Sequence, residues 1–428
     1  VLTDWIHWLS SRHRDQLLSF LWALFAIDGS RYALGKLVMC LVDCVRSLWR
    51  HATGRPEHPG YNYCPSVCVI LAGHNEAETI GATLATTWGS YPRLDIVVVD
   101  DGSTDEMAAV ARSFAKTHAG VLVLSRPERG GKSSAMNWGL QYTKAEIVIV
   151  VDADSDLEPG AIWEIVQPLS DPQVGAVAGC VLARNPFVNL CTWLQAYEYL
   201  SSIFVGRLLA VRCGILGIVS GAFGAFRRST LDRSMGWDVG PPEDLDLTLT
   251  IRKAGQKIEF APYAQCYTDL PTTWKALVRQ RIRWEQSGVV RNHCRKHLDL
   301  AAFWHANFRW GNLGLVLESW LFNILCMVGI WIWIVHFAMH WDAESWKTLV
   351  TLYLCYVTFE VVQAATILYY TNELKRDAML CLVFPLVVFY QLLLLVVRLV
   401  ATLREFFGRM SFEDNYVPLK VRRSTWHW

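Results

Sequence analysis

Two aspartates, Asp152 and Asp154, end the apolar run "EIVIVVDAD". Side chains two apart on a strand share a face, so the pair would be delivered together at a strand end. Two hard oxygen ligands at this spacing suit Mg2+ or Mn2+ bound with substrate phosphates. A solvated acidic loop is the bland alternative, and the buried character of "VIVVD" weighs against it. A second acidic group, Glu243, Asp244 and Asp246 in "PPEDLDLT", offers a carboxylate able to deprotonate an attacking hydroxyl. Acids here also suit the first turn of a helix, where they oppose its dipole, and Asp246 is read that way.

Gly130-Gly131-Lys132 can meet phosphate through backbone N–H groups and an ammonium. It is not a P-loop, because that motif needs glycine at 126 and the residue is Arg126; GxGxxG is absent too. The last group is "VRQRIRWEQSG", with Gln280, Arg281, Arg283 and Trp284. On a helix, Gln280, Arg283 and Trp284 share one face and Arg281 points elsewhere. Trp284 can stack on the C–H face of a sugar ring. The rival account is a membrane-interface belt of snorkelling arginines, and it is kept for Arg279 and Glu285. No nucleophile elbow or Ser/His/Asp signature occurs.

These groups need strands to carry them. "SVCVILA", "DIVVVDD", "VLVLS" and "EIVIVVDAD" are short β-branched runs separated by Ala-rich helical segments. That alternation predicts a parallel sheet covered on both faces. Ligands bind beyond the carboxyl ends of such strands. There stand "GHNEAET" after the first, "DDGSTD" after the second and "DADSD" after the fourth. Any one could be a helix cap; all three together are hard to explain as capping.

Around this soluble region, hydrophobicity gathers at both ends. The chain has 428 residues, 53% of them hydrophobic, and twenty tryptophans, which fits a membrane protein with aromatic belts. Leu313–Phe337, Leu349–Tyr370 and Ala378–Leu403 are each long enough to cross a bilayer. Their charges, Glu318, Glu360 and Arg398, should face protein or a water-filled path. Residues 17–45 form one tilted span or a hairpin of short helices, with no signal-peptide cleavage site. The "PFVNLCTWLQAYEYLSSIFVGRLLAV" stretch, around 186–211, predicts an interfacial helix, as does 272–290. The expected domains are therefore 1–60, 61–296 and 297–428. Basic residues Arg46, Arg50, Arg55, Arg291, Arg295 and Lys296 flank the middle domain and put it in the cytoplasm. Three spans would then leave the basic tail "KVRRSTWHW" outside, against the same rule. A net charge of +1 gives no electrostatic case for nucleic acid. The twelve cysteines stand singly, with no CxxC pair, and read as buried thiols in a reducing setting.

In order, "HNE", "DDGSTD", "GGKSSAMN", "DAD", "SGAFGAFRR", "ED" and "QRIRW" resemble the motifs of inverting family 2 glycosyltransferases with a GT-A fold. The likeness covers about 65–288 and is with the membrane-embedded, processive branch, which makes cellulose, hyaluronan, poly-N-acetylglucosamine and chitooligosaccharides. It departs from the pattern in lacking the proline often found before "xNE" and in having "PED" for "TED". The resemblance implies an α/β GT-A domain, a mostly parallel Rossmann-like sheet, between membrane helices. It implies that Asn75, Glu76 and Asp101 cradle the nucleoside, that Lys132, Asp152 and Arg283 surround the diphosphate, and that Asp154, with Asp152, holds Mg2+ or Mn2+. Asp244 is implied as general base beside Glu243. Ser220 and Gly221, in a loop over Ser220–Phe226, would lie near the acceptor with Gln280, Arg281 and Trp284. The expected partners are a UDP-sugar donor, a growing polysaccharide acceptor, the lipid bilayer and an accessory membrane subunit able to supply regulation. The motifs lean towards UDP-N-acetylglucosamine as donor. A UDP-glucose-using β-glucan synthase, a single-sugar transfer to lipid, and a non-catalytic nucleotide sensor stand as alternatives.

Overall fold

The structure is a computed structural model that describes residues 33–53, 61–238, 242–286, 288, 297–343, 345–413 and 418–420. Residues 17–32, Arg55, Arg291, Arg295, Lys296 and 421–428 of the basic tail lie outside the described residues. The chain divides into two compact units: Val1–Thr53 with Glu318–Leu395, and Gly54–Leu317 with Val396–Trp428.

The second unit is built on one eight-stranded sheet, in the order β3-β2-β1-β4-β7-β6-β8-β5. The strands are β1 (Val67–Gly73), β2 (Leu94–Asp101), β3 (Val121–Arg126), β4 (Ile147–Asp152), β5 (Asp156–Leu157), β6 (Val174–Ala183), β7 (Phe223–Arg227) and β8 (Lys257–Thr268). The first four pair in parallel, as their β-branched runs predict. Central positions such as Val69, Ile70, Val98 and Ile149 are fully buried. The sheet is mixed beyond β4, because β7 runs antiparallel to both β4 and β6. So the stretch expected as a loop over Ser220–Phe226 is a loop only up to Ala222; the rest is a central strand. A glycine at 179 lets the Phe223 ring pack where a Cβ would lie 2.2 Å from it.

Strand order alone forces the sheet to curl. In a flat sheet four spacings of about 4.8 Å, roughly 19 Å in all, would separate β4 from β5. The four residue steps from Asp152 to Asp156 reach about 14 Å at most. The β5 edge must therefore bend back towards β4, and β5 closes on β8 through Asp156–Tyr267 and Leu157–Cys266.

Helices set the rest of this unit. Leu190–Glu198 starts with a capping box in which the Asn189 side chain accepts from Thr192 N and Thr192 answers. It continues through a π-helical turn, Tyr199–Gly206, into Arg207–Arg212. Glu243–Lys253 carries Glu243, Asp244 and Asp246 in its first turn, where they oppose the helix dipole. Trp274–Trp284 is capped by Thr273, whose hydroxyl accepts from Ala276 N.

Among the described residues, three helical stretches are long and apolar enough to cross a membrane: Trp310–Met339, Ser345–Tyr370 and Leu374–Gly408. The third bends through a 3-10 turn at Pro385, which cannot donate to the preceding turn. In the first unit, Lys36 and Glu360 are buried, not set in open space. Lys36 Nζ donates to Gln363 Oε1 (2.7 Å) and Gln363 Nε2 to Glu360 Oε1 (2.9 Å). Arg398, in the second unit, meets Glu285 at 3.3 Å. The cysteines of the described residues are free thiols.

Candidate active site

A cavity of about 670 Å3 opens beyond the carboxyl ends of β1, β2 and β4. Its wall takes Glu76, Asp101, Lys132, Asp152, Asp154, Ser220, Gly221, Glu243, Asp244, Gln280, Arg281, Arg283 and Trp284. Thus all the residues singled out from the sequence meet here except Asn75.

Asn75 takes a left-handed backbone (φ 61) and spends its amide oxygen on Thr104 N at 2.8 Å. It braces the "DDGSTD" turn. Asp101 also holds structure: its two oxygens accept from Gly130 N (2.8 Å) and Gly131 N (2.7 Å). Arg126 Nε stands 2.9 Å from the same carboxylate. The residue that disqualified a P-loop therefore helps to fold the Gly-Gly loop in another way. That loop starts the Lys132–Leu140 helix and aims Lys132 into the cavity.

Lys132 is the cationic centre. Its Nζ lies 2.5 Å from Asp152 Oδ1 and 3.8 Å from Glu243 Oε1, and 3.4 Å from the Gly221 carbonyl. Burial works against the ammonium, but Asp152 and Glu243 outweigh it and hold its pKa above the usual lysine value. A Cβ at Gly221 would lie 3.0 Å from Nζ, so any side chain there would press on the ammonium. Burial dominates at the acids. Burial, then the charge of Asp152, pushes Asp154 up. Burial and Asp154 push Glu76 up. Burial raises Glu243 too; Lys132 opposes the rise and Asp244 adds to it.

Asp244 is fixed by its backbone neighbours. Oδ2 accepts from Gly221 N at 3.1 Å and Oδ1 from Leu245 N at 2.8 Å. Each oxygen keeps a further lone pair for a hydroxyl. Asp246 is buried beside His297, 2.8 Å away, in keeping with its exclusion from the catalytic set.

The Trp274–Trp284 helix places Gln280, Arg283 and Trp284 on the cavity, and Arg281 as well. Arg281 does not leave the site as helical spacing suggests. Its Nη2 meets Glu198 Oε2 at 2.8 Å, and its guanidinium lies over the Trp284 ring at 4.5 Å and near Tyr199 at 6.0 Å. Gln280 Oε1 is buried with no hydrogen-bond partner among the described residues.

Among the cavity residues that sequence reasoning missed are Glu198 and Arg207. Both are lone charges interrupting the apolar stretch that became the π-bulged helix. Such charges on a partly buried helix were the available signal. Arg207 donates to the Gly179 carbonyl at 3.0 Å, and burial lowers its pKa.

Could the cavity hold a divalent cation? Asp154 has no ion pair among the described residues, and it shares the wall with Asp152 and Glu76. Both Asp154 and Glu76 have raised pKa values. Among the described residues no group of three His, Cys, Asp or Glu side chains is gathered to hold a metal, and Lys132 already meets one oxygen of Asp152; Asp152 and Asp154 fit a cation whose remaining positions substrate phosphates would fill.

Comparison with known proteins gives a consistent picture. The family described as "Glycosyltransferase like family 2" matches residues 65–287, more than half of the chain. A poly-beta-1,6-N-acetyl-D-glucosamine synthase of Staphylococcus epidermidis is 30% identical over 225 residues, 52% of this chain and 54% of that protein. The synthase of the same name from Staphylococcus aureus (strain COL) is 29% identical over the same shares. The chain thus spans about half the length of the curated relatives it matches. Among solved structures, the mannosyltransferase PcManGT from Pyrobaculum calidifontis, in complex with GDP-Man and Mn2+, aligns with a TM-score of 0.57 and 22% identity. That alignment covers 89% of this chain and 99% of the mannosyltransferase, and the likeness is one of fold.

Proposed function

Because the chain belongs to glycosyltransferase family 2 and has the GT-A fold, we propose that it is an inverting, processive synthase. It would polymerise a β-linked polysaccharide from UDP-N-acetylglucosamine at the cytoplasmic membrane face and pass it through its own membrane helices. The observation that carries this reading is the single cavity joining Lys132, Asp152, Asp154 and Asp244 to Gln280, Arg281, Arg283 and Trp284 of the "QRIRW" motif. The names of the relatives support the sugar and the polymer. Three helices long enough to cross a bilayer support the membrane location.

The chemistry is one displacement. The acceptor hydroxyl attacks the anomeric carbon on the face opposite the diphosphate. Asp244 takes its proton as the new C–O bond forms, the role its fixed carboxylate suits. The old anomeric C–O bond breaks and its electron pair leaves with UDP, so the configuration inverts. Lys132, kept charged by Asp152 and Glu243, would stabilise the departing diphosphate, with Arg283 beside it. Asp154 and Asp152, with Glu76 nearby, would hold Mg2+ or Mn2+, which neutralises diphosphate charge when bound. Glu76 also lies where a nucleoside could reach it, and Asp101 would act through the Gly-Gly loop. Ser220, Gly221, Gln280 and Trp284 would receive the acceptor end, with Arg281 bracing the indole. An accessory membrane subunit fits the reading as a partner.

The test is purified protein in lipid nanodiscs with UDP-GlcNAc, UDP-Glc, UDP-GlcA or UDP-Gal, each with Mg2+ and with Mn2+. UDP release and a polymer from UDP-GlcNAc are expected. A preference for UDP-Glc overturns the sugar, and a lone glycolipid product overturns processivity.

A further inference from the structure

The run Asp152-Ala153-Asp154-Ser155-Asp156 has three aspartates at alternate positions, yet only the first two line the cavity. Arg184, the residue after β6, accounts for the difference. Its Nε lies 3.0 Å from Asp156 Oδ2, and its Nη1 3.0 Å from Asp269 Oδ2. Nη2 donates to the backbone carbonyl of Asp154 at 2.6 Å and to that of Tyr267 at 3.1 Å. The Arg184 backbone N–H donates to the Thr268 carbonyl at 2.9 Å, which fixes the root of the side chain. One planar fork thus grips the turn after β4, the start of β5 and the end of β8. A lysine has a single point of charge and cannot span four such acceptors.

We propose that Arg184 is the positioning residue that sorts this acidic run. It neutralises Asp156 and so withdraws it from the carboxylates open to a cation. By holding the Asp154 carbonyl it fixes the peptide plane, and with it the direction in which the Asp154 carboxylate faces. Asp156 needs this partner, because its other oxygen is buried without a hydrogen bond among the described residues. The inference rests on the reading of Asp152 and Asp154 as the carboxylates that take a divalent cation.

The experiment measures Mn2+ binding to the full chain in detergent by electron paramagnetic resonance, with UDP present. UDP binding without metal is measured alongside. Arg184→Gln alone would strand a buried carboxylate and endanger folding, so it is combined with Asp156→Asn. The double variant is expected to keep its melting temperature and its metal-free UDP binding. Its Mn2+ affinity is expected to fall at least tenfold. Arg184→Lys should fall between this variant and the wild type, and Asp156→Asn alone should bind Mn2+ as the wild type does. Wild-type Mn2+ affinity in the double variant overturns the positioning role. A tenfold loss in Asp156→Asn alone overturns the sorting, since Asp156 would then be a ligand. A wild-type chain that binds no Mn2+ with UDP brings down the metal reading itself, a result distinct from both.

Discussion

Gly221 shows how tightly the reacting groups are drawn together. A Cβ there would stand 3.0 Å from Lys132 Nζ and 3.4 Å from Glu243 Oε1. Gly221→Ala is therefore expected to displace the ammonium and lower kcat by about tenfold, roughly 1.4 kcal/mol of barrier, with little change in melting temperature. Steady-state kinetics beside a thermal melt checks this; an unchanged kcat would show that the cavity gives way freely. Asp244→Asn removes the carboxylate proposed as proton acceptor and should lower UDP release by about 10²–10⁴-fold. Retained turnover in that variant would place the base elsewhere. Glu243 supplies a pH test. Its folded pKa is raised, so its contribution to stability is full below about 4.3 and declines as pH rises through the folded value. Glu243→Gln, which stays neutral, should gain in melting temperature relative to the wild type as pH increases from about 4. A difference independent of pH would contradict the raised value.

At the scale of elements, the Arg281–Glu198 pair ties the Trp274–Trp284 helix to the end of the Leu190–Glu198 helix. Both side chains are largely buried, so Arg281→Ala would break a buried ion pair and should cost about 3 kcal/mol in stability. Trp284 is 40% exposed, and Trp284→Ala should leave the melt nearly unchanged while ending elongation. Denaturation curves and product sizing separate the two, and equal losses of stability would mean that the indole is structural. The same elements show what was legible in the sequence. β1 to β4 announce themselves because buried parallel strands are continuous β-branched runs. β6 reads "VGAVAGCVLA", rich in alanine and glycine, and β7 reads "FGAFR", so neither gives that signal. Within the stretch around 186–211 a helix runs from Leu190 to Arg212, and its π-helical turn at Tyr199–Gly206 is something periodicity does not report. Asp152, Asp154, Lys132 and Asp244 were visible as polar groups at element ends. The bracing roles of Asn75 and Asp101 were not, because they depend on which turn each side chain reaches.

For the whole molecule, the three long apolar helices carry an expectation of their own. Membranes containing the protein, washed with alkaline carbonate, should retain it in the pellet; release into the supernatant would refute integral insertion. A different consequence comes from the short link between Asp152 and Asp156. That link is too short to let β5 lie anywhere but near the curled-over end of β8, and the residues it joins there are more than a hundred positions later in the chain. During synthesis, β1 to β4 can pair as soon as they emerge, but Asp154 cannot be held in its final place until Tyr267 has been made and has closed on Asp156. Closure of so long a loop is among the slow steps of folding. The growing polypeptide would thus carry the β1–β4 side of the cavity well before it carried a complete one, which waits first for Tyr267 and then for the "QRIRW" helix.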